Sequence, residues 1–206
     1  MNRRIVSVDG LDGSGKSYMG QRIVDAHGSA RMLRVDDFRQ PVGWGVGAMP
    51  DADLYYFDYY DLAALDRCMS AFLAGANSLE VPTYDSIAEA ITGATEVDLR
   101  GVDLIVVEGV FTARMPTVAN AELVWLDTSF EVATQRILGR DMLKGRTREQ
   151  VLDRIEHRYF PAHRRYLAAC DPITKATVVI DNNDYGAPRV DRLAADASEL
   201  LTGLFT

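Results

Sequence analysis

Residues 10–17 read Gly-Leu-Asp-Gly-Ser-Gly-Lys-Ser, the Gly-x-x-x-x-Gly-Lys-Ser spacing of a phosphate-binding loop. The apolar run Ile5-Val6-Ser7-Val8 precedes it and a helix-like stretch follows it, which is the context the motif needs. Glycine at positions 10, 13 and 15 lets the backbone curl its N–H groups round an anion. The helix that follows aims its positive end at the same point. The expected nucleotide contacts are Gly10, Asp12, Gly13, Ser14, Gly15, Lys16, Ser17 and Tyr18. Lys16 can neutralise the terminal phosphates, and the Ser17 hydroxyl can hold Mg²⁺.

A loop of this kind commits the chain to a strand backed by a helix, and the remaining sequence repeats that alternation. Arg3–Val8 reads as a strand, Lys16–Ala26 as a helix and Arg31–Val35 as a second strand. Arg39–Asp53 is rich in Gly and Pro and reads as a loop, and Leu54–Ala74 has helical spacing. Leu79–Tyr84 and Thr95–Leu99 are expected to pair as a small antiparallel excursion. Leu104–Val107 and Leu123–Leu126 are continuous apolar runs, as strands covered on both faces should be. Helices follow at about Ser129–Leu143 and Thr147–Ala168, then a last strand at Thr177–Ile180 and a last helix at Pro188–Leu201. The fold class expected is α/β, three layers (α/β/α) round a mostly parallel five-stranded sheet with right-handed crossovers. No repeat, linker or low-complexity tract divides residues 1–206, so one domain is expected.

Bulk properties narrow the partners. A formal net charge of -8 argues against nucleic acid, which needs a basic face, whereas a small anionic ligand needs only a local positive site. Cys68 and Cys170 lack metal-type spacing and read as reduced thiols of a cytoplasmic protein. No apolar run approaches the length of a membrane span. A small-molecule acceptor is the expected partner, without nucleic acid or membrane, and homo-oligomer formation stays open. His27, His157 and His163 form no ligand cluster and are expected at the surface or in caps.

Several further segments carry chemistry. Leu104–Val107 runs into Glu108-Gly109, and ligands of open parallel sheets bind at the carboxyl ends of strands. Glu108 should therefore share an edge with the loop, where it can hold Mg²⁺ or its waters. Val35-Asp36-Asp37-Phe38 ends the second strand at that same edge. A carboxylate there can accept a proton from an attacking hydroxyl, ligate a metal, or simply make a turn. Arg136, Arg140, Lys144 and Arg146 form a basic segment between Gly139 and Gly145, suited to closing over a transferring phosphoryl group and excluding water. That lid covers about residues 136–148. Tyr84, in Pro82-Thr83-Tyr84-Asp85, can stack on an acceptor or sit in a plain turn, and Asp58 can bind acceptor hydroxyls. Trp44, in Gly43-Trp44-Gly45, can cover the acceptor or merely pin its loop.

Taken together these segments resemble the uridine kinase branch of the P-loop kinases, the group that includes phosphoribulokinase and bacterial pantothenate kinase. The resemblance spans about residues 3–184. It runs through Gly10–Ser17, Val35-Asp36-Asp37-Phe38, Phe57-Asp58, Pro82-Thr83-Tyr84-Asp85, Val107-Glu108-Gly109, Arg136–Arg146, Tyr159–His163 and Asp181-Asn182-Asn183. It implies ATP and Mg²⁺ as cofactors, Asp36 as the acceptor-activating group, and Ser17 and Glu108 at the metal. Lys16, Arg140 and Arg146 are implied on the transferring phosphate, with Asp36, Phe38, Asp58, Tyr84 and Arg136 about the acceptor. The resemblance implies phosphorylation of a small-molecule hydroxyl, uridine or cytidine first. Nicotinamide riboside, pantothenate, another sugar alcohol or a specialised metabolite are the alternatives. Two departures bear on the acceptor. Tyr84-Asp85 is followed by Ser86-Ile87-Ala88-Glu89-Ala90, without the His and Arg that read a base, and the lid's Arg-Asp pair is shifted by one residue. A nucleotide-binding module without an acceptor is the reading from another class. A GTP switch is disfavoured, because no Asn-Lys-x-Asp segment occurs.

Overall fold

A computed structural model describes residues 2–85 and 88–205. The chain runs β1 (Arg4–Gly10), α1 (Lys16–His27), β2 (Ala30–Arg34), a 3₁₀ turn (Val35–Phe38), α2 (Asp51–Phe57), α3 (Leu62–Leu73), β3 (Ser78–Asp85) and β4 (Ala90–Asp98). It continues through β5 (Leu104–Glu108), β6 (Glu122–Asp127), α4 (Phe130–Met142), α5 (Arg148–Arg154), α6 (Phe160–Cys170), α7 (Pro172–Lys175), β7 (Val178–Asp181), β8 (Arg189–Leu193) and α8 (Glu199–Phe205). The main sheet has six strands in the order β2-β5-β1-β6-β7-β8, and β3 pairs with β4 in a separate two-stranded sheet. The pairings among β2, β5, β1, β6 and β7 are parallel and β8 runs antiparallel.

Alternation along the central strands builds two apolar layers. Val6, Val8, Leu104, Val106, Val124 and Leu126 face α1 and α8, where Met19, Ile23 and Leu201 close the core. Ile105 and Val107 face Leu65, Met69 and Phe72 of α3, and Leu123 and Trp125 face Ile137 of α4 and Tyr166 of α6. Each such aliphatic side chain contributes about 1.5–3 kcal/mol by leaving water.

The sheet is one strand wider than the sequence suggests. Residues 189–193 pair with β7 where a helix over 188–201 is expected, and α8 starts only at Glu199. The β7–β8 pairing sets Ile180 against Val190 and Val179 against Arg192, skipping Asp191. That irregularity lets Val190 and Leu193, three residues apart, both join the core, a spacing that reads as helical in sequence. The helix expected over Leu54–Ala74 breaks after Phe57. There Tyr60 bridges to Arg39, Gln40 N–H donates to the Tyr59 carbonyl, and Asp61 restarts the chain as the N-cap of α3. The long helix expected over Thr147–Ala168 is α5 and α6 joined by a π-helical turn at Ile155–Tyr159.

Candidate active site

Strand register decides which side chains meet. Val8 of β1 lies opposite Glu108 of β5, and Glu108 lies opposite Arg34 of β2. The loop after β1, the carboxylate ending β5 and the turn after β2 therefore emerge side by side at one sheet edge. Gly109 permits that closeness, since a Cβ there would fall 2.4 Å from the Val35 side chain. Gly15 caps α1 with φ +97°, and a Cβ on it would fall 2.8 Å from Asn182 Nδ2.

The cleft at this edge has a volume of about 210 Å³. It gathers Asp12, Gly13, Gly15, Lys16, Ser17 and Tyr18 from the loop with Asp36, Glu108 and Arg140. Lys16 Nζ donates to the carbonyls of Gly10 (3.0 Å) and Leu11 (2.7 Å), folded over its own loop. Ser17 Oγ donates to Glu108 Oε1 at 3.0 Å. Burial raises the Glu108 carboxyl above the ordinary carboxylate range and Asp36 adds to this, while Lys16, the Ser17 bond and Arg34 pull it back. A buried oxygen pair that prefers a nearby cation suits Mg²⁺, which takes few protein ligands and keeps water and phosphate oxygens. Asp36 accepts a hydrogen bond from the Tyr60 hydroxyl at 3.2 Å. Burial, then the neighbouring Asp36, hold Tyr60 well above the ordinary tyrosine range, so it stays a neutral donor.

Asp12 is tied inward. It accepts from the Tyr55 hydroxyl (2.8 Å) and from Nε2 of His163 (2.9 Å). Burial favours the neutral acid, but the His163 bond and charge, with Lys16 and Arg140, hold it well below the usual carboxylate range. His163 is fully buried, which corrects the expectation of a surface or capping histidine. Only the fold brings residue 163 under residue 12, so sequence carried no signal for the pair.

The cleft continues, past Asp12, Asp36, Tyr60 and Arg140, into a second chamber of about 150 Å³. Arg146, Lys144, Arg154 and Tyr159 from the lid side face Arg39 and Tyr59 there. Buried Asp141 accepts from Arg140 Nε (2.7 Å) and Arg146 (3.3 Å), so it latches the two expected lid arginines together.

Other expected site residues lie elsewhere. Gly10 contributes its carbonyl to Lys16, and Ser14 is buried beneath the loop, its carbonyl held by Asn182 at 2.6 Å. Phe38 is 2% exposed and packs in the core, so it supports the Asp36 turn from below and does not face an acceptor. Asp58 accepts from the Trp44 indole N–H at 3.0 Å, outside both chambers, and pins the Gly43–Gly45 loop. Tyr84 sits under Arg39. Arg136 is on the loop's other flank, stacked on Tyr185 and donating to the Asn183 carbonyl, away from the acceptor side. Of the run after Asp85, Ser86 and Ile87 lie outside the described residues. Among the described residues no cluster of three metal-type ligands occurs, and no helix is long and apolar enough to cross a membrane.

A parallel sheet with a Gly-Lys-Ser loop after its central strand, and two carboxylates beside it, defines a P-loop nucleotide-binding fold of the small-molecule kinase type. A sequence model of the Phosphoribulokinase / Uridine kinase family matches residues 5–184, and the chain belongs to that family of kinases. Among solved structures it resembles a possible uridine kinase from Bacillus stearothermophilus, with 21% identity and TM-score 0.66 over 87% of this chain and 89% of that one. It also resembles D-glycerate 3-kinase from Cryptococcus neoformans, with 16% identity and TM-score 0.65 over 92% and 90% of the two chains. At these identities the likeness is one of fold.

Proposed function

We propose that this kinase transfers the γ-phosphoryl group of ATP to a hydroxyl of a small molecule, with Asp36 as the proton acceptor. The observation that carries this reading is the convergence of Lys16, Ser17, Glu108, Asp36 and Arg140 on one cleft. The loop N–H groups cradle the phosphates, and Lys16 leaves the Gly10 and Leu11 carbonyls to meet them. Ser17 and Glu108 would hold Mg²⁺, which when bound offsets phosphate charge. Asp36, oriented by Tyr60, takes the acceptor's proton as the new O–P bond forms and the bond to ADP breaks. Arg140 and Arg146 stabilise the charge on the group in transit. The work is positioning and electrostatics, which these residues supply in kind.

Uridine and cytidine, giving their 5′-monophosphates, are the acceptors the family resemblance puts first. A binding module that transfers nothing is the weaker reading, because it would have no use for Asp36 opposite Lys16. ADP release measured with and without candidate acceptors separates the two. Asp36→Asn is expected to lower kcat by about 10²–10⁴-fold with ATP affinity almost unchanged. Near-normal turnover of that variant removes Asp36 from the proton-acceptor role.

A further inference from the structure

The second chamber has a charge character opposite to that of the whole chain. Five cations line it, Arg39, Arg140, Lys144, Arg146 and Arg154, against four acids, Asp12, Asp36, Glu89 and Asp141. Two acids are already spoken for. Asp12 is held by His163 and Tyr55, and Asp141 by Arg140 and Arg146. Asp36, bonded to Tyr60, is the group assigned above to the acceptor hydroxyl. Nearby Arg158 is paired with Asp51. Among the described residues Arg39, Lys144 and Arg154 enter no ion pair, and Glu89 reaches none of them within salt-bridge distance. In a protein of net charge -8, three of the five cations in this small chamber thus stand outside any ion pair among the described residues.

Arg39 is the most constrained of them. Its guanidinium carbon lies 4.6 Å from the Tyr84 ring centroid and 5.7 Å from that of Tyr59, so two rings fix its plane. Its guanidinium makes a long donation of 3.4 Å to the Tyr59 hydroxyl. Its Nε is buried with no acceptor among the described residues. A half-buried, oriented guanidinium with a buried and unpartnered Nε is costly unless an anion completes it, and its forked donors match carboxylate or phosphate oxygens. Arg154, from the last turn of α5, lies against Tyr159 across the same chamber. Both arginines escape a reading for motifs, one standing at the end of the Asp36 turn and the other on a helix beyond the lid.

We propose that the acceptor is a small alcohol bearing its own carboxylate or phosphate, which Arg39 and Arg154 bind while Asp36 engages its hydroxyl. This rests on the kinase reading above and, for the same site, puts an anionic alcohol ahead of the neutral nucleosides that the resemblance places first. Because Asp36 and Arg39 line one chamber of about 150 Å³, the hydroxyl and the anionic group are separated by a few bonds only. Lys144, next to Arg146, adds long-range attraction for such a compound.

The test pairs matched acceptors in an ADP-release assay with Mg-ATP. Glycerate, gluconate and pantothenate form the carboxylate arm, and ribose 5-phosphate and glycerol phosphate the phosphate arm. Uridine, cytidine, ribose and glycerol form the neutral arm. The expected result is a best acceptor from one of the two anionic arms, the arm telling carboxylate from phosphate. Arg39→Gln and Arg154→Gln should each raise KM for that acceptor about 10- to 100-fold, with KM for ATP almost unchanged. A neutral compound as the best acceptor, or an acceptor KM indifferent to both substitutions, overturns the anion site and leaves the kinase reading standing. Calorimetric binding of a non-hydrolysable ATP analogue with no ADP release in any arm overturns the kinase reading and the acceptor class with it.

Discussion

Asp12 shows how one loop residue is set by partners far away in sequence. Burial raises its carboxyl, yet the His163 bond and charge, together with Lys16 and Arg140, leave it depressed. A depressed carboxylate contributes stability that is present above its unfolded pKa and lost as pH falls through the folded value, because the unfolded chain then binds more protons. His163→Leu removes that donor and leaves Tyr55 as the side-chain hydrogen bond of Asp12, at a cost of about 1.5–3 kcal/mol near neutral pH. Urea denaturation of both proteins from neutral pH down to about pH 3 should show the gap begin to narrow as the medium turns acid. A gap that is constant over that range would assign His163 to packing alone. The loop residues themselves were legible without any of this, because Gly-x-x-x-x-Gly-Lys-Ser encodes a local backbone shape. Arg39, Arg154 and His163 were not, because each acquires its meaning from a neighbour supplied by another element.

At the scale of elements, the lid is the segment whose chemistry depends on a hidden residue. Arg140 and Arg146 were legible as a basic, glycine-flanked stretch, yet Asp141 between them is the group that sets their geometry. Its carboxylate is 1% exposed and holds one guanidinium from α4 and one from the turn before α5. Asp141→Asn keeps the shape and removes the charge that latches both. We expect kcat to fall about tenfold or more, with ATP binding little changed, in steady-state kinetics with the best acceptor. Unaltered kcat would mean that the two arginines find their places without the latch. The π-helical turn between α5 and α6 belongs to the same scale. It carries Tyr159 to the acceptor chamber just beyond Arg154, and the apolar spacing over residues 147–168 marks a helix without marking where it widens. The break after Phe57 was equally invisible, since Tyr59 and Tyr60 leave the helix to pair with Arg39 and Gln40.

For the molecule as a whole, the six-stranded sheet is the frame on which each distance in the cleft depends. Its far edge is β8, and α8 behind it places Leu201 in the core beside Val178 and Ile180. The family match ends at residue 184, before both elements, so their role is testable apart from the chemistry. A chain ending at residue 185 would expose β7 as a bare apolar edge and open the layer under α1. Thermal unfolding of that chain should come at a lower temperature and with aggregation, whereas an unchanged Tm would show that the C-terminal pair is an appendage. Sequence by itself determined the phosphate loop, the alternation of strand and helix, the carboxylates that end strands, and hence the class of chemistry, because each is written in neighbouring residues or in a short period. Tertiary structure alone decided the sixth strand, the Asp12–His163 bond and the basic chamber round Arg39. These arise where strand register and helix packing bring distant side chains within a few ångströms, and local sequence carries no record of that meeting.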